Sequence, residues 1–520
     1  MKNMTLAHMA EACGGTLYGK EEDRNREVCA ITTDSRKAEP GCLFAAIPGE
    51  RVDGHDFIEQ VFEMGALCVI TEREPEELAE DGKEREAGSS PEFDSDGVSL
   101  CKGYFDAKTA GQTRNYIKVE STIRALGALA AYYLEQLAIP VVGITGSVGK
   151  TSTKEMIAAV LSQKYRTLKT AGNFNNELGL PLTIFRLRDE DEITVLEMGI
   201  NHFGEMHRLA AIAKPDTCVI TNIGQCHLEF LGDRDGVLRA KTEIFDYLRP
   251  DAHIVLNGDD DKLETVREVK GIRPIFFGLG TDNDIYADQI EKKGLDGIAC
   301  RICIKKSKNL SDGMELDEDA GKEIVLGMDA DAAGGYDSFT VQIPIPGEHM
   351  VRNALAATAV GLHYGLTTKE IRAGIESLES VSGRFHIIHT DNFTIIDDCY
   401  NANPMSMKAS LEVLQDGLGR RVAILGDMGE LGEDEVQMHR SVGEYAGGLD
   451  LDLCICVGPL STHIAEGIHA NVETVILPDL STLLTQLPAL VRKGDTILVK
   501  ASHFMHFEKI VTQLESMKAV

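Results

Sequence analysis

"VVGITGSVGKTSTKEM", residues 141–156, decides how the chain is read. It runs from a β-branched strand through a glycine-rich loop into a helix start, where exposed backbone N–H groups and the helix dipole can receive an anion. The ending Gly149-Lys150-Thr151 matches the last part of the P-loop pattern. The upstream half does not: five residues before Gly149 stands Ile144, and the glycines fall at Gly143, Gly146 and Gly149, so G-x-x-x-x-G-K-[ST] fails by one position. A strand before the loop and a helix after it supply the context that a chance glycine match lacks. Nucleotide phosphate is therefore the expected ligand, and a plain tight turn is the alternative.

The pattern on either side is α/β. Residues 1 to about 70 carry short apolar runs, "CLFAAIPG" and "ALCVITE", broken by the turn-rich "DSRKAEPG", which suits a small α/β unit. "STIRALGALAAYYLEQLAI", 121–139, is helical in pattern, so a new domain is expected to begin near 118. After residue 384 the apolar strands "FTIIDD", "RVAILGD", "LCICVG", "TVILPD" and "TILVKAS" alternate with amphipathic helices, the signature of a parallel sheet covered on both faces. The expectation is an α/β chain of three domains: a small N-terminal domain over 1–117, a central P-loop parallel-sheet ATPase domain over 118–383, and a C-terminal Rossmann-like domain over 384–520 without its own G-x-G-x-x-G. Two stretches, 72–97 and 305–323, are polar with almost no large apolar residues and read as exposed insertions.

Composition narrows the partners. A chain of 520 residues suits about three domains. Its 52 Lys and Arg against 83 Asp and Glu leave a formal charge of −31, which argues against nucleic acid or an anionic membrane as the main partner. The twelve cysteines are scattered, and reduced thiols in a cytoplasmic protein are the simple reading. No apolar run reaches the roughly 18 residues needed to cross a bilayer.

Several single residues carry chemistry, each with a plainer alternative. Glu197 ends the strand "ITVLEMG", at the carboxyl edge of a sheet where ligands collect, or it is a carboxylate facing water. His227 follows "TCVITNIG" and suits a metal, a substrate or a structural contact. Lys241, in "RAKTEIFDYL", has a solvated lysine as its default. In "GNFNNELGLP", Asn173 and Asn176 can meet a substrate or cap the next helix. Arg384 in "SGRF" is a fork for phosphate or a surface ion pair. Asp397 and Asp398 in "IIDDCYNANP" suit ribose hydroxyls or a helix cap.

Taken in order, "TDSRKAEPGCLFAAIPGERVDGHDF", "GITGSVGKTSTKEM", "GNFNNELGLPLT", "LEMGINHFGEM", "NIGQCHLEFLG", "KTEIF", "PGEHMVRNALAA", "SGRF", "DDCYNANPMSM", "LGDMGELGE" and "LVKAS" resemble the Mur ligase family over nearly the whole chain. That family's loop is T-G-x-x-G-K-[TS], which resolves the spacing problem. The resemblance implies an ATP-dependent amide-bond ligase of peptidoglycan precursor synthesis, joining D-alanyl-D-alanine to UDP-N-acetylmuramoyl-tripeptide through an acyl phosphate, in a cytoplasmic monomer. It further implies that Gly146, Ser147, Val148, Gly149, Lys150, Thr151 and Ser152 hold the ATP phosphates, and that Thr151, Glu197 and His227 serve two Mg²⁺ ions. Lys241 aligns with a lysine that CO₂ carbamylates. Asn353 and Arg384 are expected at adenine and phosphate, Asp398 at the ribose, Ser35 and Arg36 at the UDP end, and Asn173 and Asn176 near substrate. One departure stands out: the family's K-G-S-R appears as Lys500-Ala501-Ser502-His503, so that loop receives no ligand role. The diaminopimelate-type enzymes of the family's tripeptide-forming branch carry D-N-P-R, which is absent, and folylpolyglutamate synthetase lacks the uridine-side stretch. A GTPase switch needs N-K-x-D, also absent.

Overall fold

The computed structural model describes residues 1–49, 52–74, 114–305, 336–468 and 472–517. The two expected insertions therefore lie outside the described residues from 75 and from 306 onward. The chain divides into two compact units: Met1–Val141 with Thr170–Leu196 and Arg208–Lys214, and Val142–Lys169 with Glu197–His207 and Pro215–Val520.

The first unit holds a five-stranded sheet in the order Thr16–Tyr18, Asn115–Lys118, Cys68–Thr71, Leu43–Ala45, Ile31–Thr32. All neighbours are parallel except the edge strand Thr16–Tyr18. Leu43–Ala45 and Cys68–Thr71 are buried at every residue, as strands covered on both faces must be. Phe44 and Val69 pack with Ile58 and Val61 of the short helix Ile58–Glu63. The helix Thr122–Leu137 starts where the Ser121 side chain accepts from the Arg124 N–H, and it stops at Ala138, whose φ of 51° ends the α run.

A nine-stranded sheet runs Tyr336–Ile343, Ile298–Lys305, Ile285–Lys292, Ile275–Gly278, His253–Asn257, Thr217–Ile220, Val141–Thr145, Ile193–Glu197, Thr167–Lys169. Val141–Thr145, Ile193–Glu197 and Thr217–Ile220 are buried throughout, and the pairings from Ile285–Lys292 to Val141–Thr145 are parallel. The sheet is thus parallel at its centre, as the sequence implies, but antiparallel at one edge through Ile298–Lys305 and Tyr336–Ile343. The phosphate-loop helix Lys150–Leu161 packs with Glu348–His363 and Thr368–Glu376.

The third sheet has six strands in the order His386–His389, Thr394–Asp397, Thr496–Lys500, Arg421–Gly426, Leu453–Val457, Glu473–Leu477, parallel except at the first pair. Its five parallel strands are the five apolar runs read after residue 384. Asp397 pairs with Val499, which sets Asp398 and Lys500 together at the carboxyl edge where α/β sheets collect ligands.

Candidate functional site at the phosphate loop

The loop between Val141–Thr145 and Lys150–Leu161 needs its glycines. Gly146 has φ 149°, and a Cβ there would stand 1.9 Å from Thr221 Oγ1; Gly149, at φ 81°, is the residue before the first turn of the helix. The Lys150 ammonium folds back to donate to the Gly146 carbonyl at 2.8 Å, and Thr151 is buried beside it. Ser147 and Val148 are bonded to the segment 221–226. Five of the loop's seven expected phosphate contacts, Gly146 and Gly149–Ser152, thus surround a helix start, whereas Val148 has its N–H donated to Asn222 Oδ1 and serves as part of the loop's frame.

The charge around this loop is arranged in depth. Glu197, at the end of its strand, is 2% exposed, so the reading of a carboxylate facing water is excluded. Burial lowers the Lys150 pKa, while Glu197 opposes the shift. Lys154 is also buried and lies 3.0 Å from Glu155 and 3.9 Å from Glu197. Lys241 is fully buried rather than solvated; its amine nitrogen has no hydrogen-bond partner among the described residues, and burial pulls its pKa to about 8, against Cys226 and with Lys150. His227 has φ 52° and sets Nδ1 2.6 Å from Glu430 Oε2. Burial lowers the His227 pKa, Glu430 opposes, and Lys241 and Lys150 add to the lowering.

A second group comes from the third sheet. Arg384 lines a small, open pocket with Thr151, Ser152, Glu155 and Met350, and its guanidinium lies 4.0 Å from the Tyr400 ring centroid. That contact is with an aromatic ring, not a surface carboxylate. Asp398 Oδ2 accepts from Lys500 Nζ at 2.5 Å and Ser410 Oγ at 2.6 Å. It does not cap the following helix: Asn403 does, by accepting from the Ser406 N–H. Asp397 accepts from the Gly383 N–H, one residue before Arg384. Asn353 is buried, takes the Thr153 hydroxyl on Oδ1 at 2.9 Å, and points Nδ2 at Met350 sulfur.

The substrate-side residues belong to the first unit. Ser35 is buried in a short turn, and Arg36 is exposed with its guanidinium forked onto Asp34 at 2.9 Å to each oxygen. Asn173 is exposed, and Asn176 accepts from the Gly179 N–H at 2.8 Å, the capping alternative for that residue.

Sequence reasoning missed Asn222, Glu430, Tyr400 and the Lys500–Asp398 pair, whose partners are far apart in the chain. It also passed over a C-x-x-C spacing, Cys300 and Cys303. These lie on one strand, Ile298–Lys305, where positions three apart face opposite sides, and both are free thiols. Among the described residues no cluster of three His, Cys, Asp or Glu side chains holds a metal on its own, and no helix is long and apolar enough to cross a membrane.

Fold and phosphate loop together define a P-loop protein of three α/β domains. The chain belongs to the Mur ligase family: residues 27–134 match the Mur ligase family catalytic domain, 144–361 the Mur ligase middle domain, and 383–503 the Mur ligase glutamate ligase domain. It is 34% identical over 99% of both chains to the UDP-N-acetylmuramoyl-tripeptide--D-alanyl-D-alanine ligase of Bacillus subtilis strain 168. Its structure is similar to crystal structure I of MurF from Acinetobacter baumannii, with a TM-score of 0.79, 31% identity and 99% of each chain covered. MurF from Thermotoga maritima, solved in complex with ADP, is similar at a TM-score of 0.72 and 28% identity over 94% of this chain and 97% of that one.

Proposed function

We propose that the chain is the cytoplasmic, ATP-dependent ligase that joins D-alanyl-D-alanine to UDP-N-acetylmuramoyl-tripeptide, giving the UDP-pentapeptide, ADP and phosphate. The full-length similarity to ligases of that name carries the substrate assignment. In this reading residues 1–117 take the UDP end through Ser35 and Arg36, with Asn173 and Asn176 near substrate; 118–383 hold ATP, and 384–520 contribute Arg384 and Asp398.

The chemistry follows from the weakness of a carboxylate as an acyl electrophile. The tripeptide carboxylate attacks the γ-phosphorus of ATP, ADP leaves, and the dipeptide amine then attacks the acyl phosphate and expels phosphate. Lys150 and the helix N-terminus offset the negative charge that develops on the transferred group. Arg384 holds phosphate oxygens, Asn353 faces adenine and Asp398 the ribose. Thr151, Glu197 and His227 would hold Mg²⁺, which screens the phosphate charge when bound; a hydroxyl and a buried carboxylate are donors that suit a hard ion. Lys241 fits carbamylation: a buried amine with no hydrogen-bond partner among the described residues, its pKa near 8, supplies the neutral nitrogen that attacks CO₂, loses its proton and becomes a carboxylate-like group.

The test is ADP release by purified protein with Mg²⁺, ATP and UDP-muramoyl-tripeptide, with and without D-alanyl-D-alanine. Dependence on the dipeptide, with a product of the UDP-pentapeptide mass, is the expected result. Release indifferent to both substrates would leave a nucleotide hydrolase and remove every substrate-side assignment.

A further inference from the structure

Asn222 follows the strand Thr217–Ile220 and lies five residues before His227. A carboxamide carries a donor and an acceptor side by side, as a peptide group does. Asn222 uses both on a single residue of the phosphate loop: its Nδ2 donates to the Val148 carbonyl at 2.9 Å, and its Oδ1 accepts the Val148 N–H at 2.9 Å. The Thr221 hydroxyl donates to the same carbonyl at 2.7 Å, and the Asn222 carbonyl accepts the Ser147 N–H at 3.0 Å. The Ser147 hydroxyl in turn accepts the Gly224 N–H at 2.8 Å and the Cys226 thiol at 3.1 Å. The Ser147 N–H and hydroxyl and the Val148 N–H and carbonyl are therefore all engaged by residues 221–226, the run that leads into His227.

We infer that Asn222 is a positioning residue of the nucleotide site. It fixes the Val148 peptide, and with it the direction of the N–H groups that follow from Gly149 into the helix. Because the same segment delivers His227, the phosphate loop and His227 are held as one piece. The two substitutions that separate these bonds behave differently: aspartate keeps the acceptor but faces the Val148 carbonyl with a second acceptor, and alanine loses both bonds. The inference rests on the nucleotide half of the proposed function and not on the identity of the peptide substrates.

The experiment measures binding of a non-hydrolysable ATP analogue with Mg²⁺, and separately of UDP-muramoyl-tripeptide, to wild type, Asn222→Ala, Asn222→Asp and Ser147→Ala. Two neutral hydrogen bonds correspond to about tenfold or more in nucleotide Kd for Asn222→Ala. Asn222→Asp is expected to be at least as weak, since it adds negative charge beside the phosphates, and Ser147→Ala to be weakened less. UDP-substrate Kd should stay within about twofold in all three, a split that a general loss of structure would not produce. Nucleotide affinity unchanged in Asn222→Ala, or both ligands weakened in proportion, would overturn the inference. If Asn222→Ala does not fold, an unchanged nucleotide Kd in Ser147→Ala overturns it equally. Wild-type protein that binds the analogue but makes no UDP-pentapeptide would sink the ligase reading alone, and the Asn222 ratio would still decide this one; wild-type protein that binds no nucleotide sinks both.

Discussion

At the residue scale the decisive contrast is between Lys150 and Lys241. Both are lysines with a pKa lowered by burial, but Lys150 donates to a backbone carbonyl while Lys241 finds no acceptor among the described residues. A buried amine without a partner is a standing expense in free energy unless it is neutral or converted to something that binds. Lys241→Ala is therefore expected to lower ligation about 10²-fold or more while leaving nucleotide binding in place; bicarbonate will not restore it, whereas a short-chain carboxylic acid will restore part. Wild-type turnover in that variant would remove the carbamylation hypothesis. The sequence alone pointed to Lys241 only through family resemblance, because nothing in "RAKTEIFDYL" says which lysine is buried. The same limit hid the role of Lys500: its family motif is altered, yet its ammonium reaches Asp398 across about a hundred residues of chain, a distance that no local pattern encodes. By contrast Gly146 and Gly149 were legible, since their backbone angles are a local demand that glycine meets.

At the element scale the phosphate-loop helix depends on its neighbours for its place. Gly374, in the helix Thr368–Glu376, would set a Cβ 2.4 Å from Val160 Cα in Lys150–Leu161, a main-chain atom that cannot step aside. In an open helix alanine is better than glycine by up to about 1 kcal/mol. Here close approach reverses the sign: Gly374→Ala is expected to destabilise by about 1–3 kcal/mol, read as a fall in denaturation midpoint. A midpoint equal to or above wild type would show that the two helices are not in main-chain contact. Element type was readable where strands are largely buried on both faces, as four of the five parallel strands after residue 384 are, because such strands are continuous apolar runs; the edge strand Glu473–Leu477 is apolar in sequence but partly exposed. The antiparallel edge was missed for the converse reason. Ile285–Lys292 is mixed in burial, and its partner Ile298–Lys305 is separated along the chain from its own second partner, Tyr336–Ile343, by a polar stretch that hides their pairing in the sequence.

At the scale of the whole molecule, the buried bases share one preference. His349 and His363 have their pKa pulled to about 4, chiefly by burial, and His363 stacks on His253 with ring centroids 3.3 Å apart, so each would repel the other's charge. His363 ends the helix Glu348–His363, where the dipole favours a cation by at most about 2 kcal/mol, and burial still wins. The sign follows from linkage. An unfolded histidine takes its proton near pH 6.5, whereas these two withhold it until about pH 4, so the unfolded chain binds more protons throughout that window. The histidine contribution to stability is complete above about pH 6.5 and is lost as the pH falls toward 4, by about 1 kcal/mol per histidine between pH 7.5 and 5.5. Lys241 acts in the same sense at the other end: its folded pKa near 8 lies below the ordinary lysine value, so stability rises again between pH 8 and about 10.5. Denaturation midpoints measured at pH 5.5 and 7.5 on wild type and His363→Phe test the acid limb. The variant should keep the ring stack, lose one titrating group and show a smaller drop between the two pH values; an equal drop in both proteins would place the acid sensitivity on other groups.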